Sequence, residues 1–256
     1  MNKTVKRIVS ALVVAAVAVC GILWAPFWLV ATVLCALICF AQIEFSAIAA
    51  KCGKTLPFAG FVAALGHVLA VSCGASLYLS ALFALFFLSC AALAGKSQSP
   101  LAALGSSVLG FVFVPFLLSH LIFARAELGA VAMLYLVAIV KVSDMGGFAL
   151  GMAFGKHKMC PSISPNKSWE GLLGSILAAS IVSAAFMPLM HFGVAKALLL
   201  GVAAAVVGTL GDLVESRFKR EAGVKDSSPV LPAGMGGFLD MFDSLTFAPA
   251  LLVNFI

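Results

Sequence analysis

Apolar residues along this chain come in long unbroken runs. They show neither the alternation of a half-buried strand nor the one-sided spacing of a surface helix. Each run approaches the roughly 20 residues that a helix needs to cross a bilayer core. The pattern predicts an all-α, polytopic integral membrane protein with about nine transmembrane helices. They are expected at residues 8–24, 26–47, 57–73, 76–94, 101–124, 128–142, 171–190, 196–210 and 237–255. Pro26, Pro57 and the turn GKSQSP at 95–100 separate the early runs, as chain-breaking residues do. The start, MNKTVKR followed by an apolar run, resembles a signal peptide but leads directly into a second span, so it reads as an uncleaved first helix. One integral domain is expected over residues 1–256, because no polar stretch is long enough to fold a core of its own.

Two polar segments interrupt this pattern, at 141–171 and 211–244. The second holds Asp212, Glu215, Arg217, Lys219, Arg220, Glu221, Lys225, Asp226, Asp240 and Asp243, in a chain that is only 10% charged. A solvated loop would account for such a cluster. Its edges argue for more, because Asp212 closes one apolar run while Asp240 and Asp243 open the next, and carboxylates at or inside membrane helices are costly and usually functional.

Composition agrees with the membrane reading. The chain is 63% hydrophobic, with a mean hydropathy of +1.16, well above the roughly half of a soluble domain. The net charge of +6 bears on topology and on anionic lipids or substrates rather than on nucleic acid, for which no aromatic-and-basic platform is present. With the N-terminus in the cytoplasm, the nine-span order puts thirteen Lys and Arg residues inside: Lys3, Lys6, Arg7, Lys51, Lys54, Lys96, Lys156, Lys158, Lys167, Arg217, Lys219, Arg220 and Lys225. Only Arg125 and Lys196 fall outside. Both polar segments then face the cytoplasm and Ile256 the other side. Seven cysteines include no C-x-x-C pair and read as small core residues.

Within the first segment, Lys141 and Asp144 are three apart and share a helix face. Gly146, Gly147, Gly151 and Gly155 allow close backbone approach. Lys156 and Lys158 suit either phosphate contacts or a solvated positive-inside loop, and His157 reads as a loop residue. Ser168 is placed to cap the next helix, with Glu170 in its electropositive first turn. Lys167 follows the constrained turn Ser164, Pro165, Asn166 and suits an anionic substrate. In the second segment Asp240 and Asp243, at i and i+3 in the first turn of the last span, join Asp212 as a candidate hard-cation site. Magnesium takes few protein carboxylates and completes its shell with water and phosphate. Gly236 and Gly237 would let phosphate approach backbone N–H groups. No P-loop is present. The residues alone therefore point to a membrane enzyme acting on phosphates through a carboxylate-bound divalent metal.

The motifs resemble those of the phosphatidate cytidylyltransferase (CDP-diacylglycerol synthase) family. Its pattern S-x-F-K-R-x4-K-D-S is met by Ser216, Phe218, Lys219, Arg220, Lys225, Asp226 and Ser227. Pro232, Gly236, Gly237, Leu239, Asp240, Asp243 and Ser244 follow in place of the family's Pro-Gly-His-Gly-Gly turn and L-D-R-x-D-S. GDLVES at 211–216, SPNKSWEG at 164–171, Ser143 with Asp144, and Gly155 with Lys156 also match. The chain departs twice. Its turn reads PAGMGG, with Met235 near the histidine position, and Met241 replaces the arginine.

The resemblance implies transfer of CMP from CTP to phosphatidate, giving CDP-diacylglycerol and pyrophosphate. It implies catalytic roles for Asp212, Asp240, Lys225 and Asp226. Asp212 and Asp240 would hold magnesium, with a second metal ion of unspecified identity. Lys167, Ser216, Lys219, Arg220, Asp144 and Asp243 would contact substrate. The expected setting is the inner (plasma) membrane, with the active site on the cytoplasmic face, no nucleic-acid partner, and a homodimer compatible with the reading. Rival readings are a cytidylyltransferase for another lipid phosphate, a CTP-using prenol kinase, and a transporter. A transporter would carry midplane charges and repeated halves. The D-G-x2-A-R hallmark of CDP-alcohol phosphotransferases is absent.

Overall fold

The computed structural model describes residues 3–53, 55–95, 99–227 and 236–256, with side chains from residue 13 onward. Lys54, Lys96, Pro232, Met235 and the side chains of Lys3, Lys6 and Arg7 lie outside the described residues. Helices begin where proline or serine sets the backbone. Pro26 precedes α2 (Phe27–Cys52) and so ends α1 (Lys3–Trp24). Prolines also occupy the first turns of α3 (Pro57–Ser72) and α5 (Pro100–Phe111), where a missing N–H costs no hydrogen bond. Ser76 caps α4 (Leu77–Ala94) by accepting from the Leu79 amide at 3.4 Å.

From α5 the helix continues without a loop through a π turn (Val112–Phe116), α6 (Leu117–Phe123) and a second π turn (Ala124–Leu128). Pro115 lies in the first of these, where the wider turn absorbs the hydrogen bond that proline cannot make. Gly129, at φ 90°, breaks the run with a backbone that glycine adopts at little cost, and α7 (Gly129–Phe154) follows.

After α7 a short antiparallel hairpin pairs β1 (Lys158–Cys160) with β2 (Ser164–Ser168). Ser168 then caps α8 (Trp169–Met190), accepting from the Gly171 amide at 3.1 Å as its position predicts. α9 (Val194–Glu221) returns along α8. The chain closes with α10 (Phe238–Phe242), a 3₁₀ turn (Asp243–Leu245), α11 (Phe247–Leu252) and a last 3₁₀ turn (Val253–Phe255).

The protein is an all-α membrane protein, with the hairpin as its one addition among the described residues. Six helical stretches there are long and apolar enough to cross a bilayer: Phe27–Cys52, Leu77–Ala94, Pro100–Phe154, Trp169–Met190, Val194–Glu221 and Phe238–Phe255. Seven of the nine expected spans fall within these six stretches. The fifth and sixth share the stretch Pro100–Phe154, on either side of Gly129, while Pro57–Ser72 and Val13–Trp24, the part of α1 whose side chains are described, are apolar but shorter. Two boundaries also move. α7 runs to Phe154 and α9 to Glu221, so Asp144 and Asp212 lie inside helices rather than at their ends.

Small residues let α7 and α8 approach closely. A Cβ on Gly146 would come within 2.6 Å of the Gly174 carbonyl oxygen, and one on Gly174 within 2.8 Å of Leu150 Cβ. Farther along the same pair, Tyr135 and Ser183 share a buried hydrogen bond of 2.8 Å. Phe45, Phe113, Phe218 and Phe247 pack as tilted and edge-to-face rings with centroids 5.4–6.0 Å apart, joining α2, the first π turn, α9 and α11. Leu173, Leu177 and Ile181 on α8 and Leu199 on α9 are exposed, as a lipid-facing surface requires.

The close contact makes a prediction. Gly174→Leu forces the two helices apart and should destabilise the protein by about 1–3 kcal/mol or more. Gly66, where a Cβ would meet nothing within 4 Å, should accept alanine. Thermal unfolding of the purified protein in detergent should show a lower Tm for Gly174→Leu and none of that loss for Gly66→Ala.

Candidate active site

One face of α9 supplies the framework. Asp212, Glu215, Ser216 and Lys219 recur at the three- and four-residue spacing of neighbours on a helix surface. They serve two adjoining clusters. In the first, the Lys167 ammonium on β2 pairs directly with Asp212 Oδ2, and Ser216 Oγ donates to Asp212 Oδ1 at 3.4 Å. Asp144 on α7 and Asp243 in the 3₁₀ turn also act on Lys167. The three carboxylates lie close enough to repel one another. Burial would depress the Lys167 pKa, but Asp212, with Asp144 and Asp243, outweighs it and leaves the ammonium above its ordinary value of 10.5.

Lys141 adds a second cation there. Its Nζ donates to the Met241 carbonyl at 2.7 Å and to Ser244 Oγ at 3.1 Å, and stands 3.9 Å from Asp144 Oδ2. The Ser244 amide donates to Asp243 Oδ1 at 2.6 Å. Met241, in the place of the arginine, is thus engaged through its main chain.

The second cluster is more buried. Lys219 Nζ reaches Asp240 Oδ1 at 2.6 Å and Glu215 Oε1 at 3.2 Å. The Glu215 contact is an ion pair without hydrogen-bond alignment, so both Glu215 oxygens lack a hydrogen bond among the described residues, at 0% exposure. Asp240 Oδ2 accepts from the Ser227 amide and hydroxyl, each at 2.9 Å, and from the Gly237 amide at 2.7 Å. Both oxygens of Asp240 are therefore taken by the protein.

The sequence-predicted residues thus divide. Asp144, Lys167, Asp212, Ser216 and Asp243 come together, and Lys219 with Asp240 forms the neighbouring pair. Asp240 and Asp243, on either side of the boundary between α10 and the 3₁₀ turn, take different partners: Asp240 pairs with Lys219, while Asp243 accepts from the Ser244 amide and acts on Lys167. Arg220 is exposed and braces the hairpin, with Nε donating to the Ile163 carbonyl at 3.2 Å. Lys225 and Asp226 lie exposed in the turn after α9. His157 holds the start of the hairpin to α8 through Glu170, at 2.6 Å.

Motif reading misses Glu44, buried in α2, whose carboxylate accepts from Ser227 Oγ and the Leu239 amide. A single acid in an apolar run is the signal that marks it. Glu215 and Lys141 are visible as charges, but their contacts are not.

Among the described residues, no three His, Cys, Asp or Glu side chains gather closely enough to enclose a metal ion. The donor chemistry of Asp144, Asp212 and Asp243 nevertheless fits a hard divalent cation. It offers mutually repelling carboxylate oxygens, and magnesium needs only one or two of them beside water and phosphate. Asp240 fits less well, with four donors already on it.

Comparison with known proteins bears on what this arrangement serves. The model of the cytidylyltransferase family matches residues 5–256. The chain belongs to that family. It is 36% identical over 208 residues to a phosphatidate cytidylyltransferase of Staphylococcus saprophyticus, covering 78% of this chain and 79% of that protein. Identity to the phosphatidate cytidylyltransferase of Haemophilus influenzae is 43% over 129 residues, or 47% of this chain and 43% of that one. For the Staphylococcus aureus COL protein of the same name it is 47% over 121 residues, or 46% of each. The matched segments span less than half the length of these last two relatives.

Lys167 allows a pH test. A folded-state pKa raised above 10.5 stabilises the fold fully below that value and progressively less as pH climbs through it. The Tm difference between wild type and Lys167→Met should therefore stay constant from about pH 7 to 9 and shrink only at higher pH. Calorimetry or light scattering across that series checks it.

Proposed function

We propose that this protein is a phosphatidate cytidylyltransferase, transferring CMP from CTP to phosphatidate with release of pyrophosphate. The observation that carries this reading is the meeting of Lys167 with Asp144, Asp212 and Asp243, in a family member whose relatives bear that name. A lipid phosphate is already an anionic nucleophile, so no strong general base is needed. One of its oxygens bonds to the α-phosphorus of CTP while the bond from that phosphorus to the β-phosphate bridge breaks. The difficulty lies in bringing two polyanions together.

On this reading Lys167 holds phosphate beside the carboxylates, and Lys141 adds positive charge from α7. Ser216 fixes the orientation of Asp212, while Lys219 and Asp240 anchor α10 to α9. Asp212, with Asp243 or Asp144 as a second carboxylate, would hold magnesium. Bound there, the cation would neutralise phosphate charge and stabilise the leaving pyrophosphate. Asp240, first expected beside Asp212 in this role, acts here through Lys219. A second metal ion would draw on the same carboxylates. A homodimer is not required, since every residue invoked belongs to one chain.

Nine crossings follow if the run 100–154 turns back at Gly129 and the two shorter apolar helices also span. The Lys and Arg distribution then puts the N-terminus and active site in the cytoplasm of a plasma-membrane protein and Ile256 outside. A C-terminal fusion to a reporter active only in the cytoplasm should be silent, and full reporter activity would remove this topology.

The decisive assay is purified protein in detergent with phosphatidate, labelled CTP and magnesium. Asp212→Asn and Asp243→Asn preserve shape and remove charge, so they should fold yet lose about a hundredfold or more in rate. Asp240→Asn should lose activity with a lowered Tm. Glu221→Gln, exposed at the end of α9, should cost little. Near wild-type turnover and unchanged magnesium dependence in Asp212→Asn would overturn the assignment, and free prenols outcompeting phosphatidate would replace the substrate.

A further inference from the structure

The N-terminal half sends one charged group toward these clusters. Glu44 is the single acid of α2, 7% exposed between Ile43 and Phe45. Its Oε2 accepts from the Leu239 amide at 2.8 Å and from Ser227 Oγ at 2.9 Å. One turn earlier Phe40 stacks on Phe238, with centroids 5.2 Å apart and planes 20° from parallel. Gly237 leaves room for this contact, since a Cβ there would lie 2.6 Å from Glu44 Cδ.

These contacts complete the cap of a helix whose N-cap residue has no side chain. α10 has five residues and begins after Gly237, which has no side chain to accept from first-turn amides. Two carboxylates serve instead: Asp240 takes the Gly237 amide and Glu44 the Leu239 amide. The Ser227 hydroxyl touches both at 2.9 Å, and its single hydrogen links the two acids through one atom. A buried carboxylate is costly unless it is hydrogen-bonded, so Glu44 is satisfied only with α10 docked against α2.

We infer that Glu44 is a positioning residue for the transfer reaction. It sets the height and rotation of α10 on α2. It thereby delivers Asp240 to Lys219 and carries Asp243 to Lys167 and Asp212. It touches no reacting atom, and the inference rests on the nucleotidyl-transfer reading above.

The test compares Glu44→Gln, Glu44→Leu and Ser227→Ala in the full-length protein, with phosphatidate, labelled CTP and magnesium. Glutamine keeps an acceptor oxygen at the same reach, so Glu44→Gln should retain most of kcat. Leucine removes the acceptor, and a misplacement of about 1 Å lowers kcat on the order of a hundredfold. The KM for CTP should change by less than about threefold, because no substrate contact is lost. Combining Glu44→Gln with Ser227→Ala should be non-additive. A folded Glu44→Leu with wild-type kcat overturns the inference. So does Glu44→Gln as damaged as Glu44→Leu, which would assign the role to charge. If Glu44→Leu does not fold, non-additivity in the Gln and Ala pair decides.

If the wild type itself does not turn over phosphatidate, the functional reading fails separately. Hydrogen exchange of the 238–242 segment then decides on Glu44. Protection should survive Glu44→Gln and fall in Glu44→Leu or, if that variant is unfolded, in Glu44→Ala; unchanged protection overturns the inference.

Discussion

Charge carried into helices that cross a bilayer must be paired or face water, and in this protein the tightest pairs join different elements, while Lys141 with Asp144 and Lys219 with Glu215 pair within α7 and α9. Lys167 comes from a hairpin and Asp212 from α9, so this pair forms only when the hairpin docks. Lys219 on α9 meets Asp240 on α10 in the same way. Removing one partner of a buried pair leaves an uncompensated charge, which costs more than the pair contributes. The polar contacts therefore act as conditions on assembly. The final arrangement retains more acid than base: Asp144, Asp212 and Asp243 face Lys141 and Lys167, and Glu215 and Asp240 face Lys219. A polyanionic substrate approaching the first group would be repelled unless a cation came with it, which gives the proposed magnesium its physical place.

The apolar architecture makes that pairing reproducible. Glycines at the α7 and α8 contact bring Asp144 toward the hairpin that carries Lys167. Phe218, next to Lys219, is held by rings from α2 and the π turn, and the π-turn ring is itself backed by Phe247 of α11, so α9 has little freedom to rotate about its axis. A rotation of one residue, about 100°, would carry Asp212 and Lys219 away from both partners. Rigid elements position a site more closely than loops do. Here the face of α9 that carries Asp212, Glu215 and Lys219 is set by ring packing one residue away, at Phe218.

Sequence patterns and structure part company at particular residues. The long apolar runs and the chain-breaking prolines predict the helices well, since both are local properties. The ends of α7 and α9 are not local. Polar residues from Ser143 onward read as a segment leaving the membrane, yet a helix accommodates them, and Gly146 and Gly147 mark a helix contact rather than a loop. Motif spacing brings out Asp144, Lys167, Asp212 and Asp243 but not how they divide. Asp240 and Asp243 are three apart, which in one α-helix places them together. Their different partners, Lys219 for Asp240 and the Ser244 amide with Lys167 for Asp243, come from what packs around them and not from their spacing. Glu44 lies 195 residues from Leu239, and no local rule connects such a pair.

Position 241 shows how the same long-range geometry changes what a departure from a motif means. The family pattern carries an arginine there, and read along the sequence Met241 simply deletes a positive charge. In three dimensions the Met241 carbonyl is the acceptor for Lys141 Nζ at 2.7 Å, and the same ammonium reaches Ser244 and stands near Asp144. Positive charge at this junction thus arrives from α7, held by the main chain of the residue that lost its own. Because the contact is to a carbonyl, it does not depend on the side chain at 241. The charge balance around Asp243 is a property of the packed helices, not of the motif that contains it.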